Sequence, residues 1–369
     1  SIIAARRDAK EIPGNMQGIA YESRILFISA ELGDPPADGD YVPTTIEKYD
    51  WSYYDQAEAT LYNELSIKAD IVNNSFGFTG QITDYPKEIF ESSFPKFINS
   101  LEENKETIFV WSAGNYNGIT DTNGEKVDAA DPGWLAGLSY YFPELADNNI
   151  AVVAVDREGT IADWSNRCGV VKDTCIAAPG SRINVAIPNN LYASLTERER
   201  NGLNEDVLEY LKNHPSEAYL LASGTSFAAP HVTGALAVLK GAFKDNLSSK
   251  EIIDRLYKTA NKEGKYANEN IYGQGLLDLG AAISPVGFLS AYSNNVSSNN
   301  SFSLENSYLK TGMSFGDSIK ISLKNENIAL FDALGAPFFT PASNFFQSKI
   351  SYNQLDRIKS FNTDRYQSS

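Results

Sequence analysis

The chain has 369 residues, of which 42% are hydrophobic and 21% are charged, so it can bury a sizeable core. Its formal net charge of −16 argues against nucleic acids and anionic membranes as partners. No run of apolar residues reaches the ~18 residues that a membrane-spanning helix needs.

The hydrophobic pattern predicts strands and helices that alternate along the chain. The predicted strands are residues 24–30, 71–75, 107–111, 150–155 and 174–177, and the predicted helices are residues 53–68, 86–103, 226–240 and 249–259. Continuous apolar strands between helices are typical of a parallel sheet covered on both faces. The predicted fold class is therefore α/β, a parallel β-sheet covered by helices on both faces.

Two stretches have the character of insertions, and the composition changes near the carboxyl end. Residues 117–148 are polar and rich in Gly and Asp, and residues 188–221 contain a helical pattern around 206–212. Inserted loops of this kind often border a cleft. Residues 290–303 are rich in Ser and Asn, which predicts a flexible or turn-rich linker, and residues 319–323 alternate like a half-exposed strand.

The segment Gly-Thr-Ser-Phe-Ala-Ala-Pro-His at residues 224–231 predicts the start of a buried helix. Thr225 and Ser226 are good helix-start residues, and Pro230 is tolerated in a first turn. Ser226 would face free N–H groups and the positive end of the helix dipole, which favour a developing oxyanion. An ordinary N-cap serine is the alternative on these residues alone.

Two more segments place polar residues at strand ends. Residues 70–77 end in Asn-Asn-Ser-Phe-Gly, and residues 109–115 end in Ser-Ala-Gly-Asn. Asn115 follows an apolar strand at a Gly turn, so its amide can project from the end of the sheet. Locally, Asn115 could equally be a turn residue, and residues 75–77 a plain buried strand end.

The three segments together, in this order, resemble the motifs of the subtilisin-like (S8) serine peptidases. The resemblance implies that Ser226 is the nucleophile and that Asn115 and the Ser226 backbone N–H bind the oxyanion. It also implies substrate contacts at Asn73 and Thr225, and backbone pairing of Ser75, Phe76 and Gly77 with an extended peptide as an added strand. Ser112, Ala113 and Gly114 would form one wall of the pocket for the residue before the cut.

A serine nucleophile needs a general base, and the chain has only two histidines. His231 lies five residues after Ser226 on the same predicted helix, so it faces another direction and is interpreted as a structural core histidine. His214 lies at the loop-like end of a polar helical segment. No Asp or Glu can be assigned as the carboxylate that orients the base.

The family carries its base in a His-Gly-Thr segment that opens a helix. Residues 1–6 resemble the part of that helix just after the segment, and residues 18–30 resemble the turn and strand after the helix. We therefore expect the catalytic His a few residues before Ser1 and the orienting Asp further upstream. The resemblance predicts a fragment of a secreted serine endopeptidase that lacks these two residues. An inactive pseudoprotease or binding module, and a scaffold that processes a surface protein, are also compatible with it.

The spacing of Cys168 and Cys175 alone leaves a disulfide and two unrelated thiols equally open, while zinc is disfavoured because no second ligand pair exists. Residues 164–169, 175–180 and 272–279 resemble the peptidase domains of bacterial autotransporters. That resemblance implies a disulfide between the two cysteines and an oxidising compartment.

The same resemblance implies a peptidase domain over residues 1–287, without its N-terminal part, and a linker with short strands over residues 288–369. Residues 328–338 resemble the junction before a translocating β-barrel, which would need many more segments of ~10 residues. We expect export through the periplasm and outer membrane to the cell surface or the extracellular space, outer-membrane contact only through a β-barrel that this chain lacks, and a protein or peptide substrate.

No cofactor is expected from the sequence. Relatives often bind structural calcium, but no Asp or Asn cluster in this chain has a spacing that assigns a site. Asp163 and Asp173 are interpreted as solvated surface residues.

Overall fold

The computed structural model describes residues 2–4, 18–26, 52–78, 80–120, 124–188, 190–201, 203–216, 219–292, 301–303 and 321–345. The chain divides into two compact units, Ser1–Ile283 and Ser284–Ser369. The peptidase domain predicted over residues 1–287 and the linker with short strands predicted over residues 288–369 stay predictions. No helix in the described part of the chain is both long and apolar enough to cross a membrane.

Within the described residues, the first unit has a parallel sheet of four strands, in the order β1-β2-β3-β4. The strands are β1 (Ile71–Asn74), β2 (Ile108–Ser112), β3 (Asn149–Val155) and β4 (Cys175–Pro179). Every residue of β2 and β3 is buried, which explains why these strands are continuous apolar runs rather than alternating ones. The predicted α/β class with a parallel sheet is confirmed.

In the described residues, the helices of the first unit are α1 (Ser52–Lys68), α2 (Lys87–Ser93), α3 (Pro95–Glu103), α4 (Leu191–Ser194), α5 (Glu197–Asn201), α6 (Glu205–Asn213), α7 (Thr225–Phe243), α8 (Ser249–Thr259), α9 (Glu269–Tyr272) and α10 (Leu279–Ile283). The predicted helices at residues 53–68, 226–240 and 249–259 are confirmed as α1, α7 and α8, and the helical pattern around 206–212 is α6. The short helices α4, α5, α9 and α10 were not predicted. The long, buried helix α7 contacts all four strands of the sheet. These contacts fix the position of the first turn of α7 relative to the sheet.

Two predicted elements differ in the structure. The single helix predicted over residues 86–103 is two helices, because Phe94 leaves the helical conformation (φ −133°, ψ 36°) where Pro95 begins the next helix. Residues 24–26 are not in a strand, and residues 27–30 lie outside the described residues.

Both predicted insertions belong to the first unit. In the first, Trp134, Leu135, Leu138 and Leu145 are buried in the core beside the sheet. The second follows β5 (Ile183–Ala186), carries α4, α5 and α6, and ends within β6 (Tyr219–Ala222), which pairs antiparallel with β5. Strand β6 leads directly into α7.

The second unit contains an antiparallel sheet in the order β10-β9-β7-β8. Its strands are β7 (Ser290–Tyr292), β8 (Ser301–Ser303), β9 (Asn327–Phe331) and β10 (Pro337–Pro341). The linker predicted over residues 290–303 is wrong at both ends, which are strands that pair with each other, and residues 293–300 lie outside the described residues. The strand predicted over 319–323 is also wrong at Ile321 and Ser322, which are helical, because so short an alternation does not specify a strand.

Candidate active site

Ser226 is the second residue of α7, directly after a turn that is packed against the end of the sheet. The Gly224 N–H donates to the Gly180 carbonyl at 2.9 Å. A Cβ on Gly180 would lie 2.6 Å from the Ala154 Cβ and 2.9 Å from the Gly224 carbonyl oxygen, so only glycine fits there. This close contact fixes the start of α7 against β3 and β4.

The Asn115 side chain is held by Thr225. Its Oδ1 accepts hydrogen bonds from the Thr225 backbone N–H and from the Thr225 hydroxyl, both at 2.9 Å. Of the two ends of an amide side chain, only the oxygen can accept from an N–H, so this contact assigns the Asn115 oxygen and nitrogen. The Asn115 Nδ2 therefore lies on the other side, where a Cβ on Gly224 would be 3.4 Å away.

The turn that carries Asn115 is stabilised by Asn166, a residue that the sequence did not single out. Gly114 has φ +115°, and a Cβ there would lie 3.0 Å from the Asn166 side chain. The Asn166 N–H donates to the Gly114 carbonyl at 3.0 Å, and Asn166 Oδ1 accepts from the Tyr116 N–H at 2.9 Å. Asn166 Nδ2 donates to the Asp131 carbonyl at 2.9 Å. The fully buried Asn166 thus fixes the backbone on both sides of Asn115.

A pocket of about 230 Å³ opens beside Ser226. It is lined by Phe76, Gly77, Phe78, Ser112, Ala113, Gly114, Asn115, Tyr116, Gly133, Leu135, Ala136, Thr225 and Ser226. No charged side chain is among these lining residues. The sequence placed one wall, residues 112–114, but not the wall formed by residues 133–136, which comes from an insertion with no local signal of a binding role.

Asn73 and Ser75 do not line this pocket, although the resemblance implied substrate contacts for both. Their side chains instead bond to each other and toward α7. Ser75 Oγ donates to the Ser226 carbonyl at 2.8 Å, so the end of β1 is tied to the proposed nucleophile through the backbone.

Neither histidine is hydrogen-bonded to Ser226. The His231 Nδ1 lies 2.8 Å from the Phe227 carbonyl, and the ring is only partly buried rather than in the core. Desolvation lowers the pKa of His231 and outweighs that hydrogen bond. The exposed His214 stacks on Tyr210 at 4.3 Å, and its Nδ1 lies 2.8 Å from the Tyr210 carbonyl.

Cys168 and Cys175 form a disulfide, with their Cα atoms 5.7 Å apart. It closes the loop around the short 3₁₀ helix Gly169–Thr174 and joins that loop to the first residue of β4. The pairing implied by the resemblance is therefore confirmed. In the described part of the chain, no group of three or more His, Cys, Asp or Glu residues could hold a metal ion, and both Asp163 and Asp173 are exposed.

The chain is similar to known proteins over most of its first unit. The model of the subtilase family matches residues 1–275. Serotype-specific antigen 1 of Mannheimia haemolytica is 36% identical over 198 residues, which are 53% of this chain and 19% of that protein. An extracellular serine protease of Serratia marcescens is 30% identical over 179 residues, 48% of this chain and 15% of that protein.

An autotransporter is also among the similar proteins. The neisserial autotransporter lipoprotein NalP of Neisseria meningitidis serogroup B is 26% identical over 255 residues, which are 58% of this chain and 20% of that protein. The chain thus spans about a fifth or less of the length of these three relatives.

Proposed function

The chain belongs to the subtilase family of serine peptidases, and from this premise we propose that it carries the nucleophile and oxyanion site of a secreted serine endopeptidase. One observation carries the proposal. Both hydrogen bonds from Thr225 go to the oxygen of the Asn115 amide, so its N–H groups remain for a substrate bound beside Ser226. An amide donor fixed in this way before the reaction is what an oxyanion hole requires.

In the proposed reaction, Ser226 Oγ attacks the carbonyl carbon of the scissile peptide bond. A C–O bond forms, and the electron pair of the C=O bond moves onto its oxygen, where Asn115 Nδ2–H and the Ser226 N–H bind it. The hydroxyl proton passes to a base. The electron pair on the oxyanion then re-forms the C=O bond, the C–N bond breaks, and the base gives the proton to the nitrogen of the leaving amine. Water releases the acyl group by the same steps. We place the base, a histidine oriented by an aspartate, outside these 369 residues, because His214 and His231 are both bonded elsewhere.

The pocket is proposed to hold the side chain of the substrate residue before the cut. Ser112, Ala113 and Gly114 form one wall, where their small size leaves room for a substrate side chain. The backbone of Ser75, Phe76 and Gly77 is proposed to pair with an extended substrate as an added strand. The proposed substrates are therefore peptides or unfolded protein segments.

Secretion is supported by the named location of one relative, the autotransporter nature of another, and the disulfide of this chain. A disulfide persists in an oxidising compartment and is rare in the cytosol. We propose that the protein acts outside the cell or on its surface.

An inactive binding module is the second candidate function, because neither His214 nor His231 is bonded to Ser226. The test is peptide cleavage by the protein that the whole gene encodes, with Ser226→Ala as the control. Cleavage that disappears in S226A supports the endopeptidase. Peptide binding without any cleavage would support the binding module. Cleavage that is unchanged in S226A would contradict both Ser226 as the nucleophile and the inactive binding module.

A further inference from the structure

The carbonyl of Ser226 cannot receive its ordinary helical hydrogen bond. In an α-helix, the carbonyl of one residue accepts from the N–H four residues later. For Ser226 that residue is Pro230, which has no N–H and lies inside α7. The hydroxyl of Ser75, which follows β1, donates to this carbonyl at 2.8 Å. A side chain from a different element thus supplies the donor that the helix lacks.

Two more side chains determine the orientation of the Ser75 hydroxyl. A carbonyl oxygen only accepts, so Ser75 uses its proton on Ser226 and must accept from Asn73. Asn73 Nδ2 donates to Ser75 Oγ at 2.8 Å, which turns the Asn73 oxygen toward α7. There it accepts from the Thr233 hydroxyl at 2.9 Å, a shorter contact than the 3.1 Å between that hydroxyl and the Ala229 carbonyl.

The three hydrogen bonds form one directed chain, in which every proton points toward Ser226. Such chains polarise each successive donor, so the last bond is stronger than it would be alone. Thr233 is only 5% exposed, and Asn73 and Ser75 are partly buried, so water competes little for these groups. This series of hydrogen bonds starts at Thr233 and ends at Ser226, both on α7, and runs through Asn73 in β1 and Ser75 just after it. It therefore fixes the first turn of α7 relative to the sheet.

We propose that Ser75, oriented by Asn73 and Thr233, is a positioning residue that replaces the hydrogen bond removed by Pro230 and thereby sets the position of the Ser226 hydroxyl and N–H. This inference rests on the proposed role of Ser226 as nucleophile. It adds to the expectation that the Ser75 backbone pairs with an extended substrate, because it concerns the Ser75 hydroxyl, which donates to the Ser226 carbonyl.

The test asks whether a restored backbone N–H makes the Ser75 hydroxyl dispensable. In the protein encoded by the whole gene, the rate of Ser226 modification by a small fluorophosphonate is measured for S75A, P230A and the double variant. The loss of one such hydrogen bond predicts a rate about tenfold lower in S75A. In the P230A background the same substitution should cost less than about threefold, because the new N–H can donate to the Ser226 carbonyl.

Matched controls separate positioning from a general loss of stability. Ser100 in α3 also donates its hydroxyl to a backbone carbonyl, that of Phe97, at 2.6 Å. S100A should leave the rate of Ser226 modification unchanged, both alone and in the P230A background. T233V should lower the rate in the same direction as S75A, and T233S should restore it. Urea unfolding of each variant identifies any that fails to fold.

Amide hydrogen exchange across residues 224–230 gives a readout that needs no activity. Faster exchange in S75A, reversed in the double variant, is the expected result. If the unsubstituted protein does not react with the fluorophosphonate, the proposed function fails, and the exchange pattern alone decides this inference. A raised KM for peptides in S75A with an unchanged fluorophosphonate rate, or a loss that P230A does not relieve in either readout, would overturn it.

Discussion

Thr225 donates two hydrogen bonds to the side-chain oxygen of Asn115, one from its backbone and one from its hydroxyl, each at 2.9 Å. The same hydroxyl accepts from the Gly114 N–H at 3.1 Å. Thr225 therefore links the Gly114 backbone to the side-chain amide of Asn115. If Asn115 binds the oxyanion, the rate of the chemical step depends on this threonine even though its hydroxyl faces the protein.

Replacing Thr225 by valine should lower kcat about fivefold and leave KM nearly unchanged. The variant removes one of two donors to Asn115, and an ordinary hydrogen bond contributes about 1 kcal/mol. A loss confined to kcat indicates an interaction made in the transition state. Steady-state kinetics on a peptide substrate measure both constants. Thr225→Ser, which keeps the hydroxyl, should recover most of the rate, and an equal loss in both variants would contradict the account.

The pocket predicts a preference for uncharged residues before the cut. Its lining contains Phe76, Phe78, Tyr116 and Leu135 but no charged side chain, and burying an unpaired charge is costly. Peptides that differ only at that residue should be cleaved at least about tenfold faster with Phe or Leu than with Lys or Asp, as kcat/KM. Equal kcat/KM for Lys and Phe peptides would show that the substrate residue does not enter this pocket.

Sequence reasoning located the parts of the site that single segments determine. The ends of β1 and β2 and the start of α7 each combine an apolar run with a short polar motif, so the family and the α/β fold class were predicted and are confirmed. The insertion at 117–148 was expected to border a cleft, but its contact with this pocket through Gly133, Leu135 and Ala136 was not predicted, because that contact depends on how the insertion packs. Asn166 carries no local signal either, since its role depends on contacts with Gly114 and Asp131.

Reduction of the Cys168–Cys175 disulfide should destabilise the first unit. Opening a loop this short returns conformational entropy to the unfolded chain, a change of about 2–3 kcal/mol in the free energy of unfolding. Urea unfolding with and without a thiol reductant measures the difference. The double variant C168A/C175A should unfold at the reduced midpoint under both conditions. A midpoint in the unsubstituted protein that is insensitive to full reduction would contradict the prediction.

The lowered pKa of His231 predicts a loss of stability in acid. Desolvation favours the neutral imidazole in the folded state, so the unfolded chain binds more protons below its ordinary pKa of about 6.5. The stabilising contribution is therefore complete above that pKa and is lost as the pH falls toward the lower pKa of the folded state. Between pH 7 and pH 5, the free energy of unfolding should fall more steeply for the unsubstituted protein than for His231→Gln. Parallel pH profiles would show that His231 does not titrate differently on folding.

The 369-residue chain by itself should react only very slowly with a fluorophosphonate, because neither of its histidines is bonded to Ser226. Removal of the catalytic histidine from a subtilisin, a member of the same family, lowers turnover by about six orders of magnitude. Intact mass spectrometry over a time course measures the reaction. Rapid, stoichiometric modification would show that a base within the chain serves Ser226.

The most direct test of the nucleophile is to map the fluorophosphonate adduct on the protein encoded by the whole gene. We predict one adduct, on the peptide that contains Ser226, with loss of peptide cleavage in proportion to modification. Neither adduct nor cleavage should remain in S226A. A protein that cleaves peptides without an adduct at Ser226, or that keeps its adduct and its activity in S226A, would contradict the assignment.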